Sequence, residues 1–354
     1  MDISSLSFPL LIVVFIVAAL AIWFSGIKIS NTTDALSKHF GLGEALGGLI
    51  ILAFVTNLPE LVIVITAALK NNLGIAVGNI LGGIAVQTVV LVILDAFGLG
   101  KQAPLTYRAA SLVLVLEAIL VLAILALVVM GHQLPGKLIF LHITPVSLLI
   151  FIVWFVGVKI ISKAKKNLPW EAKELAAGSK QEVPKHKKEN TDNQNKKSVP
   201  ISKTVTIFLI SAVITLIAGV ALEASSDAIA THIGMQGVLF GATVLAVATS
   251  LPEISTGLAS VKLKDYNLAI SDIFGGNAFL PVLFLLAALC SGKAVLPIAQ
   301  KSDIYLTGLA MLLTTIYIYG LIFRPKQQIL RMGIDSFIVL IVYFVGIGGL
   351  FFIS

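Results

Sequence analysis

The sequence predicts an all-α polytopic membrane protein, with ten transmembrane helices in two inverted five-helix repeats and a broken helix in each. Three observations predict it. The chain of 354 residues is 58% hydrophobic and only 12% charged, whereas soluble domains carry about 25% charged residues. Its apolar runs reach the roughly 18 residues that mark a membrane span in ten places. One short motif, TNLPEL at 56–61, returns as TSLPEI at 249–254, 193 residues later.

In chain order the predicted spans are 6–27, 42–69, 73–97, 106–130, 139–161, 203–222, 235–261, 266–290, 304–323 and 332–353. The first reads as a span and not a signal peptide. Its start, Met1–Asp2–Ile3–Ser4, has no basic residue, and its apolar run outlasts an h-region. After the fifth span the composition changes. Residues 159–203 hold twelve lysines, several acids and an Asn/Gln/Lys-rich tail, the signature of a solvated linker. The chain thus divides into an N-terminal repeat at 1–162, a polar linker at 163–202 and a C-terminal repeat at 203–354.

A cytoplasmic linker puts 21 of the 25 basic residues inside and leaves Lys70, Lys137, Lys293 and Lys301 outside, as the positive-inside rule requires. Both termini are then expected outside a multi-pass protein of the cell membrane. Much of the basic excess sits in this linker, so membrane lipid is an expected partner and nucleic acid is not. The single Cys290 excludes an intramolecular disulfide. Nothing in the sequence sets an oligomeric state.

Aligned without a gap, residues 45–88 and 238–281 share thirteen of 44 positions, including Thr56/Thr249, Pro59/Pro252, Glu60/Glu253 and Gly82–Gly83/Gly275–Gly276. Five spans separate the copies, so one is upside down relative to the other. Inverted repeats with interrupted helices are a layout of secondary transporters, with the site near the midplane.

Proline removes a backbone donor and clashes with the preceding turn, so Pro59 and Pro252 should break their helices. The freed carbonyls must then line a polar cavity. Thr56 and Asn57 supply side-chain oxygens there in one copy, Thr249 and Ser250 in the other, and Glu60 and Glu253 follow directly. Buried carboxylates in spans mark ion pathways. A divalent cation, smaller monovalent ions or protons could each neutralise the facing pair. In the following spans Asp272 is a candidate third carboxylate, with Asn79 and Gln87 as further ligand candidates; Gln87 is as readily a helix–helix hydrogen bond. Glu117 lies mid-span without a polar neighbour in sequence. Glu223 and Asp227 stand at the outer end of span six, where an extracellular entry and a wetted helix end are equally ordinary readings, and Asp95 and Asp335 read as solvated residues near inner boundaries.

These residues resemble the calcium/cation antiporter superfamily, which includes sodium/calcium exchangers. TNLPEL…GNILGGI and TSLPEI…SDIFGGN look like its paired alpha-repeats. The resemblance implies an inverted-repeat fold in which Glu60 and Glu253 are central cation ligands. Thr56, Asn57, Thr249 and Ser250 match the accompanying oxygen-bearing positions, and Gly83 and Gly276 the later small-residue positions. The family's GSN becomes Gly82–Gly83–Ile84 and Gly275–Gly276–Asn277 here, without either serine hydroxyl. The later polar positions become Gln87 and Leu280, and Asp272 stands where the family has asparagine.

The expectation is therefore a calcium/cation antiporter exchanging Ca2+ for Na+ or H+ by alternating access. The alternatives are a proton-coupled exchanger of another divalent cation and a cation channel. No cofactor and no enzymatic activity are expected: the five histidines are scattered, and no nucleophile arrangement or phosphate-binding loop is present.

Overall fold

A computed structural model of the chain describes residues 3, 6–39, 54, 56–99, 103–109, 111–135, 143–164, 201–234, 240–350 and 352–353. The predicted linker falls outside these residues apart from two helical positions at each end, as does most of the apolar run before Thr56.

Among the described residues, ten helices of twelve residues or more carry the fold. They are α1 (Phe8–His39), α2 (Leu58–Leu69), α3 (Leu73–Ile93), α4 (Leu112–His132), α5 (Pro145–Ala164), α6 (Ile201–His232), α7 (Leu251–Lys262), α8 (Tyr266–Phe279), α9 (Lys301–Phe323) and α10 (Ile334–Leu350). Among the described residues seven helices are long and apolar enough to cross a membrane, or eight with the bent pair around Ser250. The 12-residue α2 and 17-residue α10 are shorter apolar helices.

Two boundaries differ from expectation. α1 and α6 are each 32 residues long, well past the predicted ends at 27 and 222. No glycine or proline interrupts 28–39 or 223–232, so polar residues there continue the helix beyond the apolar run. The all-α reading also missed a small hairpin, Gln328–Ile329 against Met332–Gly333. Its turn places Leu330 and Arg331 at positive φ, which the sequence does not signal because neither is glycine.

Caps fix several ends. Ser111 accepts the Val113 amide at the start of α4, and Asp265 accepts that of Leu268 at the start of α8. Asp303 closes a capping box onto Gln300 for α9. Pro281 ends α8 in a 3-10 turn, after which Leu283–Ser291 continues the span.

The repeats exchange partners. α1 packs on α7 and α6 on α2; α4 packs on α8 and α9 on α3; and α1–α6 and α4–α9 pack as pairs. Glycines mark the exchange. A Cβ on Gly26 would crowd Pro252 at 2.8 Å, and one on Gly219 would crowd Val62 at 3.0 Å with the Pro59 carbonyl at 3.8 Å. Gly26/Gly219 and Pro59/Pro252 share the 193-residue offset. Further along, Gly157 faces Leu120 and Gly346 faces Leu309, now 189 residues apart. The repeat therefore extends through all five helices of each half, with a four-residue deletion in the second copy. α3 and α8 lie at the centre and are buried on nearly every face, while α1, α5 and α6 present apolar side chains such as Phe24, Phe155 and Ile217 outward. That is the pattern expected of helices facing lipid.

Candidate ion-binding site

Both motifs break the backbone at the same point. Asn57 (φ −87°, ψ 15°) and Ser250 (φ −80°, ψ 2°) leave helical geometry just before α2 and α7, with the proline in the first turn of each. The second break bends the chain by 45°, as predicted from Pro252. The Asn57 carbonyl accepts the Leu61 amide and the Ser250 carbonyl that of Ile254. At the far ends, Asn71 and Lys264 both adopt positive φ, and matched bonds (Asn72 to Ala67, Asp265 to Ser260) turn the chain into α3 and α8. Each repeat thus delivers its glutamate and its next helix in the same way.

Helix-start geometry sends Glu60 and Glu253 into the interface between the repeats, where they are 0% and 1% exposed. Gln87 from α3 reaches both. Its Nε2 lies 3.4 Å from Glu60 Oε1, 3.3 Å from Glu253 Oε1 and 3.2 Å from Asn57 Oδ1. Gly276 makes room for this approach: a Cβ there would stand 2.8 Å from Asn57 Nδ2 and 3.3 Å from Gln87 Oε1. At the symmetry-related place a Cβ on Gly83 would meet, among the described residues, only Leu280, at 3.4 Å. The amide is therefore contributed by one repeat alone.

Asp272 occupies an adjoining pocket of hydroxyls. Thr256 donates to its Oδ2 at 3.0 Å, and Thr56 to its Oδ1 at 3.4 Å. Asn79 is its counterpart at the 193-residue offset, but is buried with neither side-chain polar atom paired. Its equivalent of Thr256 is Ile63, and the Thr249 hydroxyl turns back to the Ala246 carbonyl at 3.1 Å. Ser250 does the same at 2.8 Å. So the structure joins Glu60, Glu253, Asn57 and Gln87 in one network, with the Thr249 side chain also against Glu60, and Thr56 and Asp272 in the next, while no hydrogen bond links the Ser250 or Asn79 side chain to either among the described residues. Among the described residues no three acidic, histidine or cysteine side chains converge as a ready-made metal cluster.

Polar atoms without partners concentrate here: Glu60 Oε2, Glu253 Oε2, Gln87 Oε1, both Asn79 side-chain atoms, Ser271 Oγ and Asn277 Oδ1. Each buried unsatisfied group costs about 1–3 kcal/mol, and no packing role calls for so many together. Asn277, which donates to Thr88 at 3.0 Å, and Thr256 were not among the ligand candidates read from sequence. Thr256 lies one turn beyond Glu253, a spacing that puts both on one helix face.

Away from the centre two expectations are corrected. Glu223 is not a wetted helix end: it is fully buried and bonds Lys70 at 2.6 Å, while Asp227 accepts from Asn72 at 2.8 Å. Asp95 and Asp335 are not solvated, being 1% and 4% exposed. Their backbone and hydroxyl donors come from segments distant in sequence, which no local pattern could announce.

The family described as sodium/calcium exchanger protein matches residues 10–161 and 203–352. The chain belongs to the sodium/calcium exchanger protein family. This bears out the resemblance carried by the TxLPE motifs. The exchanger is 27% identical over 323 residues to Inner membrane protein YrbG of Escherichia coli (strain K12), covering 88% of this chain and 89% of that one. It is 25% identical over 292 residues to the putative antiporter CaxA of Alkalimonas amylolytica, covering 81% of each. Its fold is shared with the H+/Ca2+ exchanger CAX (TM-score 0.67, 14% identity, 97% of this chain and 86% of that one). It is shared too with the sodium-calcium exchanger NCX_Mj (TM-score 0.60, 15% identity, 97% and 99%).

Proposed function

We propose that this exchanger is a secondary active antiporter that moves Ca2+ against Na+ or H+ through a site formed by Glu60 and Glu253. The observation that carries the reading is the Gln87 amide spanning two buried glutamates, one from each repeat, each with its second oxygen unpaired. Ca2+ takes six to eight oxygens at about 2.3–2.6 Å. Those two carboxylates, with Thr56, Asn57, Thr249, Ser250, Asn79, Gln87 and Asp272 around them, are the proposed ligand set. An arriving cation displaces the Nε2 bonds and accepts the carboxylates directly. When it leaves, the two negative charges need replacement cations or protons, since two facing carboxylates do not stay ionised alone in a dry site. That requirement makes transport an exchange and not a leak.

The donor set favours protons as a second reading of the counter-ion. Neither Gly82–Gly83–Ile84 nor Gly275–Gly276–Asn277 offers a hydroxyl, which leaves fewer fixed oxygens for several sodium ions. A proton-coupled exchanger of another divalent cation follows from the same set.

In the proposed orientation the halves 1–162 and 203–354 are joined by a cytoplasmic linker at 163–202, the termini face outward, and lipid surrounds α1, α5 and α6. Transport rather than catalysis is the activity. The test is radiolabelled calcium flux in reconstituted vesicles, with sodium and proton gradients imposed separately under voltage clamp. Flux driven by one gradient names the counter-ion. Flux with no counter-ion requirement means a channel, and no calcium flux from folded protein turns the search to another divalent cation.

A further inference from the structure

Asp95 and Asp335 meet at the membrane face from which the linker departs, where α3 ends in a π-helical turn and α10 begins. Asp95 accepts the Leu105 amide on Oδ1 at 2.8 Å and the Gly333 amide on Oδ2 at 2.6 Å. Asp335 accepts the Thr106 hydroxyl on Oδ2 at 2.6 Å, while its Oδ1 is buried with no partner. A Cβ on Gly333 would overlap Asp335 Oδ1 and stand 3.2 Å from Asp95 Oδ2. Both oxygens therefore border the space that a methyl group on Gly333 would take. Among the described residues no lysine or arginine nitrogen lies within 4.0 Å of either carboxylate. The other titratable groups nearby are Tyr317 of α9, bonded to Ser336 at 3.3 Å, and Arg324, which is engaged with the Tyr107 carbonyl.

Packing does not require the charge. A Cβ on Gly320 would overlap the Asp335 carboxyl and lie 3.1 Å from its Cβ; in the other repeat a Cβ on Gly131 meets Val146 in the same way, its Cβ at 3.2 Å. Both members of these pairs are 189 residues apart. Valine has the branched shape of aspartate without its charge, and it fills that slot. Asp95 likewise has Ala288 at the 193-residue offset. The acids are an addition at one face of a scaffold that holds without them at the other.

Three of the four oxygens accept well-formed hydrogen bonds, the Ser336 hydroxyl and the Asp335 and Ser336 amides lie beside the pair, and Asp335 Oδ1 is the oxygen left without a well-formed one. A buried acceptor without a partner calls for a donor, and two facing buried carboxylates are stable when they share a proton. We propose that Asp95 and Asp335 form a proton-binding site separate from the ion site, with the proton on Asp335 Oδ1 and directed at Asp95 Oδ2. On release the O–H bond breaks, its electron pair stays on Oδ1, and the proton passes to water at the linker face. Two charges then repel across the space beside Gly333 and loosen the junction of α3, α9 and α10. Only the effect on transport rests on the antiporter reading; the site is defined without it.

The test is infrared difference spectroscopy of the full chain in lipid between acidic and alkaline pH. The native protein should show a protonated carboxylic acid band that Asp335→Val, carrying the other repeat's residue, and Asp335→Asn both lose. Asp95→Ala should keep that band but surrender the proton at lower pH, because no neighbouring charge holds it. In vesicles held at the same pH on both sides, Asp335→Val should transport calcium with a pH dependence several-fold shallower than that of the native rate, only that of the ion site remaining. Identical carboxylic acid bands in native and Asp335 variants would overturn the site whatever the flux shows. Failure of native flux overturns the antiporter reading and leaves the infrared result standing.

Discussion

Gln87 Nε2 stands 3.4 Å from Glu60 Oε1 and 3.3 Å from Glu253 Oε1, so a single amide spans the carboxylates that the two repeats contribute. Both contacts are long for N–H···O bonds, as expected for donors shared among three acceptors. The amide holds the pair together without belonging to either copy of the TxLPE motif.

Replacing Glu60 or Glu253 by glutamine should lower calcium exchange at least about 100-fold, because each removes a charge the cation must meet in a dry site. Glutamine keeps the shape, so the variants should stay folded. Folded E60Q/E253Q protein that exchanges calcium at the native rate would sink their assignment.

Gln87→Leu installs the residue that Leu280 supplies at the symmetric position. It removes the donor that compensates the empty carboxylates and adds an apolar neighbour to them. Half-maximal calcium should shift about tenfold, corresponding to roughly 1.4 kcal/mol, with the protein still inserted. An unchanged calcium dependence would make Gln87 a packing residue only.

Gly26→Val and Gly219→Val test the inverted contact from both sides. Each new side chain collides with the broken helix of the opposite repeat, at Pro252 or at Val62, and overpacking costs about 1–3 kcal/mol. Thermal unfolding in detergent should drop by a similar amount for both. A loss confined to one variant would contradict the symmetry drawn from their common offset.

Lys70 and Glu223 tie the α2–α3 turn to α6. Glu223 is fully buried and Lys70 about half exposed, so solvent weakens the pair from the Lys70 side. Removing Lys70 strands a buried carboxylate, whereas Glu223→Gln strands only an exposed ammonium. Lys70→Ala should therefore destabilise more than Glu223→Gln, and the double variant should recover part of the loss. Equal effects of the two single changes would show that the pair is solvated in the working protein.

The many-helix membrane architecture, the inverted repeat and its broken helices were legible in the sequence because each leaves a local mark. A bilayer demands long apolar runs, proline breaks a helix wherever it falls, and a repeated motif survives at a constant offset. Beyond residue 88 that trace faded, because Gly157/Leu120 and Gly346/Leu309 keep the packing but not the spacing or the neighbouring residues.

The tertiary structure decided which polar groups meet. Thr256 with Asp272, Gln87 with both glutamates, Lys70 with Glu223 and Asp95 with Asp335 come from helices far apart in sequence. Asp95 and Asp335 read as boundary residues because composition near a span end predicts water, yet the short helix Leu105–Arg108 and the hairpin before α10 cover them. The sequence by itself determined where the chain breaks and that Glu60, Glu253 and Asp272 fall within apolar runs, since helix geometry and the bilayer act on neighbours along the chain. Which carboxylates share an amide, a hydroxyl or a proton was decided only by packing, which acts between helices and leaves no periodic signal in either one.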